Sequence, residues 1–325
     1  MKKNRAFQIC VIAYLVIFFI SLDSLIYFRY TRRLENHFGK EMETSSINLS
    51  EYQPFTEDSK IVRLSVPDDR KFHDGDFLPV LDGATALFPV YSAVFNSLYP
   101  EGSCIFDGET FSEKSKLQKR NTAGAFKALN SGDADIIFCA NPSKKQLEAV
   151  REAGLELSLI PIGFEAFVFL VNAKNSVDSL TQKQIKSIYT GKVSKWSEVG
   201  GDGSYISALV RPEGSGSQTA MLAFMGDEKI AVKNHPYKGR SLGYSFRFYV
   251  QGIVGSRDIK LLKIDGVYPD KENIRNGSYP IVSNFYAITR AEDRDNASVK
   301  KVIDFLLSPE GQNLIEESGY VKLGD

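Results

Sequence analysis

The run Glu165-Ala166-Phe167-Val168-Phe169-Leu170-Val171 holds a single charged residue. A strand with one wet face alternates polar and apolar side chains. This run does not, so it reads as a strand covered on both faces. Helices must then lie on both sides of a sheet. Asp135 to Cys139 and Leu157 to Ile162 read as further buried strands, and Ile61 to Val66 alternates like a first strand. Between them, Leu87, Val90, Tyr91, Val94, Phe95 and Leu98 recur at helical spacing, with Pro89 in the first turn, and predict a helix with one buried face. A short helix opens at Asn121-Thr122-Ala123-Gly124, runs through Phe126 and Leu129, and ends at Asn130-Ser131-Gly132. Thr181 to Gln184 starts another, with Ile185, Ile188 and Tyr189 inward and Gly191 as its stop. Val299, Val302, Ile303 and Leu306 form one face of a late helix, and Ser308-Pro309-Glu310-Gly311 breaks the chain and restarts it. Strands alternating with helices predict an α/β fold.

With 325 residues, the chain is long enough for two cores. Lys+Arg and Asp+Glu are 40 each, and no basic run is interleaved with aromatics in the soluble part, which argues against a nucleic-acid partner. His37, His73 and His235 are scattered, without cysteines or carboxylates at ligand spacing, so no metal and no cofactor is expected. Cys139 ends an apolar strand and reads as a buried small hydrophobe.

The N-terminus is a separate element. Met1 to Arg5 is basic, Ala6 to Leu22 is almost wholly apolar, and Arg29, Arg32 and Arg33 follow. The run is long for a signal peptide and lacks a small-residue cleavage site, so residues 1–29 read as an uncleaved membrane anchor. Basic residues flank both ends and leave its orientation open. Residues 30–60, polar and without periodicity, read as a linker.

The chemistry concentrates at Arg211-Pro212-Glu213-Gly214-Ser215-Gly216-Ser217-Gln218. Glycines let the loop turn its N–H groups inward, Ser215 and Ser217 add hydroxyls, a following helix adds a partial positive charge, and Arg211 adds a full one. Asp82-Gly83-Ala84-Thr85-Ala86-Leu87 and Asn121-Thr122-Ala123-Gly124 are two more small, hydroxyl-bearing helix starts. Three such turns facing one cleft would hold a tetrahedral oxyanion mostly with neutral dipoles. Spacing along the chain does not establish that they meet.

These segments carry a family resemblance. With Asp133 to Phe138, the stretch from Leu180 through Gly191-Lys192 to Trp196, Tyr279-Pro280-Ile281, Ser308 to Gln312 and Gly319-Tyr320-Val321, the chain resembles the phosphate-binding proteins of ABC-type phosphate importers over roughly 61–323. The resemblance implies a two-lobed periplasmic-binding-protein-like fold of type II with the ligand cleft between the lobes. Lobe 1 would be 61–163 and 283–325, and lobe 2 would be 164–282. It implies phosphate ligands at Thr85 and Ala86 in the first turn, Thr122 in the second, and Arg211, Ser215, Gly216 and Ser217 in the third. Asn121 is placed to donate or accept. The family usually has a carboxylate where this chain has Asn141, and that carboxylate accepts the proton of hydrogen phosphate. An amide has no charge with which to reject a proton-free anion. Glu213 is the alternative acid.

The implied function is a membrane-anchored binding protein outside the cytoplasm that delivers phosphate to ABC permease subunits. The alternative is a sensor or binding module for another oxyanion, such as sulfate, without transport. An enzyme is not expected: the serine loop lacks a Gly-x-Ser-x-Gly elbow and a histidine partner, and the glycine loop lacks a P-loop ending.

Overall fold

The structure, a computed structural model, describes residues 48–232 and 240–324. The predicted anchor, 1–29, lies outside the described residues, as does most of the linker. Among the described residues no helix is long and apolar enough to cross a membrane.

In chain order the elements are β1 (Leu81–Gly83), α1 (Phe88–Leu98), α2 (Asn121–Ser131), β2 (Ile136–Cys139), α3 (Lys144–Glu152), β3 (Leu157–Asn172), β4 (Ser179–Leu180), α4 (Gln182–Tyr189), β5 (Ser207–Ala208), α5 (Gly216–Met225), β6 (Ser241–Phe246), β7 (Ile259–Leu261), β8 (Lys263–Ile264), α6 (Lys271–Arg275), β9 (Val282–Arg290), α7 (Ala297–Leu307) and α8 (Pro309–Glu317). The main sheet runs β1-β2-β9-β3-β6-β5, with β7 also paired to β3, while β4 and β8 pair separately. The β1–β2 and β5–β6 pairs are parallel, and those joining them through β9 and β3 are antiparallel.

The architecture is a two-lobed α/β fold. In lobe 1, α1, α7 and α8 cover one face of β1, β2 and β9, with Phe95, Phe138, Val302 and Leu314 in the core. On the other face α2 packs Phe126 and Leu129 against Ile137 and Ile288. Lobe 2 gathers Phe167, Phe169, Tyr189, Trp196, Met221 and Tyr244 around the second half of β3. The two apolar runs predicted as separate strands are one 16-residue strand that crosses between the lobes. Its register against β9 shifts between Pro161 and Gly163. A Cβ on Gly163 would lie 2.5 Å from the Phe285 ring and 2.8 Å from the Val321 carbonyl oxygen, so the bulge requires glycine.

Three expectations need correction. Ile61 to Val66 is not a strand, although Ile61 and Val66 are buried. Residues 48–60 are not free linker: Tyr52 is buried in the lobe 1 core, and the Phe55 N–H donates to Asn96 Oδ1 at 2.7 Å. Helix α1 is buried nearly all round rather than on one face, because helices as well as sheet surround it. Several helix ends follow their sequence signals. Thr181 and Gln184 form a reciprocal capping box, Gly132 ends α2 at φ 83°, and Ser308 caps α8.

A buried ion pair lies where β3 crosses, and its arginine reaches lobe 1. Glu165 Oε1 accepts from Arg247 Nε at 3.1 Å and from the Ala166 N–H, and its Oε2 accepts from the Phe248 N–H. Arg247 Nη2 donates to the Gly319 carbonyl at 2.6 Å. Burial pushes the Glu165 carboxyl up, against the pull of Arg247 and the two N–H donors.

Candidate functional site

The first turn leaves the C-terminal end of β1. Gly83 faces β2 so closely that a Cβ there would lie 2.5 Å from the Phe138 carbonyl oxygen. The Ala84 N–H donates to that oxygen at 2.8 Å. Thr85–Leu87 then forms a single 3-10 turn leading into α1. Thr85 and Ala86 are half-buried, and the Tyr320 hydroxyl donates to the Ala86 carbonyl. A hydroxyl N-cap was expected here. Ala84 holds the cap position instead, without a side-chain cap bond.

The second turn opens α2, and here too the expected cap is displaced. Arg120 holds the cap position, and Asn121 sits inside the helix start at φ 61°. Asn121 Oδ1 accepts from the Gly124 N–H at 3.2 Å, so its carbonyl serves the helix. Thr122 is buried, and its N–H and that of Ala123 belong to the first turn, which has no intrahelical acceptor. Behind both turns lies Asp82, with 0% exposure. Its Oδ1 accepts from the Gly83 N–H at 2.7 Å and the Arg120 N–H at 2.8 Å, and its Oδ2 accepts from Arg120 Nη1 at 2.8 Å.

The third turn is the start of α5 in lobe 2. Ser215 is the N-cap, as its sequence setting predicts, and accepts from the Gln218 N–H at 3.2 Å. The N–H groups of Gly216 and Ser217 remain at the positive end of the helix. The Arg211 N–H donates to Tyr244 Oη at 3.0 Å and Gln218 Oε1 at 3.2 Å, and the Tyr244 hydroxyl donates to the same Gln218 oxygen. This brace fixes the backbone of Arg211. Its Nε is buried without a hydrogen-bond partner. A buried guanidinium N–H without an acceptor costs free energy, and an anion removes that cost.

The second and third turns meet. A Cβ on Gly216 would lie 3.5 Å from Thr122 Oγ1, and one on Gly214 would lie 3.8 Å from Ala123 Cβ. The lobes touch again beside them, where Lys145 Nζ pairs with Glu213 Oε2 at 2.9 Å and Gln146 Nε2 donates to the Gly214 carbonyl at 3.4 Å. Glu213 is therefore engaged by Lys145 on the solvent side, both side chains being more than two-thirds exposed. Asn141 lies in an exposed bend between β2 and the Ser143 cap of α3. Lys145, Gln146 and Tyr244 had no local sequence signal. Gln218, Asp82 and Tyr320 lay inside motifs of the sequence without a role assigned to them. Among the described residues no group of His, Cys, Asp and Glu could hold a metal ion.

The turn leaving β1 and the start of α2 belong to one lobe, and the start of α5 belongs to the other. Residues 82–310 match the PBP superfamily domain. The chain belongs to that superfamily. It is 25% identical over 283 residues to SphX of Synechococcus elongatus, covering 76% of this chain and 84% of SphX. It is also 25% identical over 244 residues to the phosphate-binding protein PstS of Bacillus subtilis, covering 66% of this chain and 81% of PstS. A phosphate-bound crystal structure of a substrate-binding protein from Clostridium perfringens has a TM-score of 0.59 at 24% identity, covering 75% of this chain and 98% of that one. An ABC-type phosphate transport receptor from Vibrio cholerae has a TM-score of 0.52 at 18% identity, covering 75% and 99%. These two structures share the fold.

Proposed function

We propose that this member of the superfamily binds inorganic phosphate between its lobes and delivers it to an ABC importer. The observation that carries the reading is the buried, unpartnered Nε of Arg211, on a residue whose backbone N–H is braced by Tyr244 and Gln218, together with the meeting of the helix starts at Thr122 and Gly216. Phosphate supplies the acceptor that this donor lacks, and it accepts from hydroxyls and helix-terminal amides alike. Thr85, Ala86, Asn121, Thr122, Asn141, Arg211, Ser215, Gly216 and Ser217 form the proposed binding set. Of these, Thr122, Arg211, Ser215, Gly216 and Ser217 carry the most weight, and Asn121 and Asn141 the least. The named relatives, a phosphate-binding protein among them, support the same ligand. The reaction is capture and release without a catalytic step. The proposed setting is outside the cytoplasm, with residues 1–29 as a single-pass anchor and permease subunits as partners.

A second reading is binding of other tetrahedral oxyanions, sulfate included. Asn141 motivates it, together with the engagement of Asp82 by Arg120 and of Glu213 by Lys145. Calorimetric titration of the full chain with phosphate and sulfate separates the two. Tight phosphate binding without sulfate heat is expected, and Arg211→Ala weakens it about 100-fold or more. Equal heats for both anions favour the broader reading. Unchanged phosphate binding by Arg211→Ala overturns the site.

A further inference from the structure

We infer that Asp82 and Arg120 are a positioning pair behind the site, in which Arg120 keeps a sealed carboxylate from opposing the incoming anion. The inference rests on the phosphate reading above. Asp82 sits three residues before Thr85, and Arg120 two before Thr122. One carboxylate thereby ties the start of the first turn to the start of the second through the Gly83 N–H, the Arg120 N–H and Arg120 Nη1. Asp82 is fully buried, and both of its oxygens are taken up by these donors. It therefore acts through the turns and through its charge, not by contact.

The sequence makes room for the pair at Gly124. A Cβ there would lie 2.7 Å from Arg120 Cβ, so a larger residue would push Arg120 off its path to Asp82. Burial presses the Asp82 carboxyl toward its neutral form, while Arg120 and the two N–H donors hold against it. With Arg120 present the pair is neutral, and the neighbouring Lys119 also feels the Asp82 charge. Without Arg120, a buried negative charge stands within a few residues of two of the three turns. Repulsion over that span through a protein-like medium lowers anion affinity about 10- to 30-fold.

The test is phosphate titration of the full chain at mildly alkaline pH, at low and high salt. It compares wild type with Arg120→Ala, Arg120→Lys and the double variant Asp82→Asn/Arg120→Ala, with a melting curve for each. Arg120→Ala is expected to weaken binding about 10- to 30-fold at low salt and less at high salt. Arg120→Lys keeps the charge and recovers most of the affinity, which preserves the test should the alanine variant fold poorly. The double variant, with no charge left to oppose the anion, returns to within about threefold of wild type. A merely structural role lowers the melting temperature of both alanine variants without separating their affinities. Arg120→Ala binding like wild type, or a double variant as weak as Arg120→Ala, overturns the pair. A wild type that takes no phosphate overturns the phosphate reading itself and the inference with it.

Discussion

Arg247→Met tests how the lobes are joined. In the native protein the Glu165 and Arg247 side chains are only 4% and 8% exposed. Methionine removes the guanidinium and leaves a buried carboxylate with two backbone N–H donors, and it also takes a donor from the Gly319 carbonyl. Breaking one side of such a pair costs about 3–5 kcal/mol. At about 2–4 °C per kcal/mol for a protein of this size, the melting temperature falls by about 6–20 °C. The double variant Glu165→Gln/Arg247→Met removes the stranded charge and is expected within about 2 kcal/mol of wild type. The pH dependence has a definite sign. Burial already raises the Glu165 carboxyl, and loss of Arg247 raises it further. A carboxyl raised in the folded state leaves stability intact below its unfolded pKa and erodes it as pH rises through the folded value. The deficit of Arg247→Met therefore shrinks in acid and grows toward neutral pH. Thermal denaturation from acid to neutral pH reads all three effects. Equal losses in the single and double variants, or a deficit that does not change with pH, would refute the reasoning.

Three further outcomes follow from local geometry. Gly311→Ala places a Cβ 1.9 Å from the Phe305 carbonyl oxygen at the tight α7–α8 junction, and should cost about 3 kcal/mol in denaturant unfolding. Ser215→Ala removes the α5 cap, which should cost about 1 kcal/mol in the same assay and weaken phosphate in the titration. Glu316 is partly buried, which opposes its ionisation, yet the Lys322 N–H, Arg275 and Lys271 hold its carboxyl below the usual range. Glu316→Gln should therefore lose stability at neutral pH and converge with wild type as pH falls through that lowered value, as measured by melting temperature against pH.

The parts of the fold that are written locally were legible in the sequence. Caps and stops at Thr181, Gly132 and Ser308 act over three or four residues, and the structure places helix ends there. Periodicity reports burial, but it does not report which backbone a segment will bond. Ile61 to Val66 therefore has buried ends but no ladder, and the two runs around Pro161 merge into one strand because β9 supplies a partner along both. In the site, glycine and hydroxyl content marked the turns. What braces Arg211 comes from Tyr244, and what draws the lobes together comes from Lys145 and Gln146, through contacts that spacing cannot encode. The cap positions at Ala84 and Arg120 escaped notice because the backbone there is fixed by Phe138 and Asp82, not by a capping hydroxyl.

Strand β9 lies between β2 and β3, yet among the described strands it is the last to leave the ribosome. Lobe 1 begins the described chain but has no central strand until about residue 290 is synthesised. Lobe 2 has β3, β5, β6 and β7 in hand by Leu261. Synthesis order and completion order are thus inverted: the inserted lobe is the first to have all its strands, and the half that starts the chain waits on its return. For that interval the apolar edges of β2 and β3 are unpaired, which makes the nascent first lobe, rather than the finished protein, the species most in need of a chaperone.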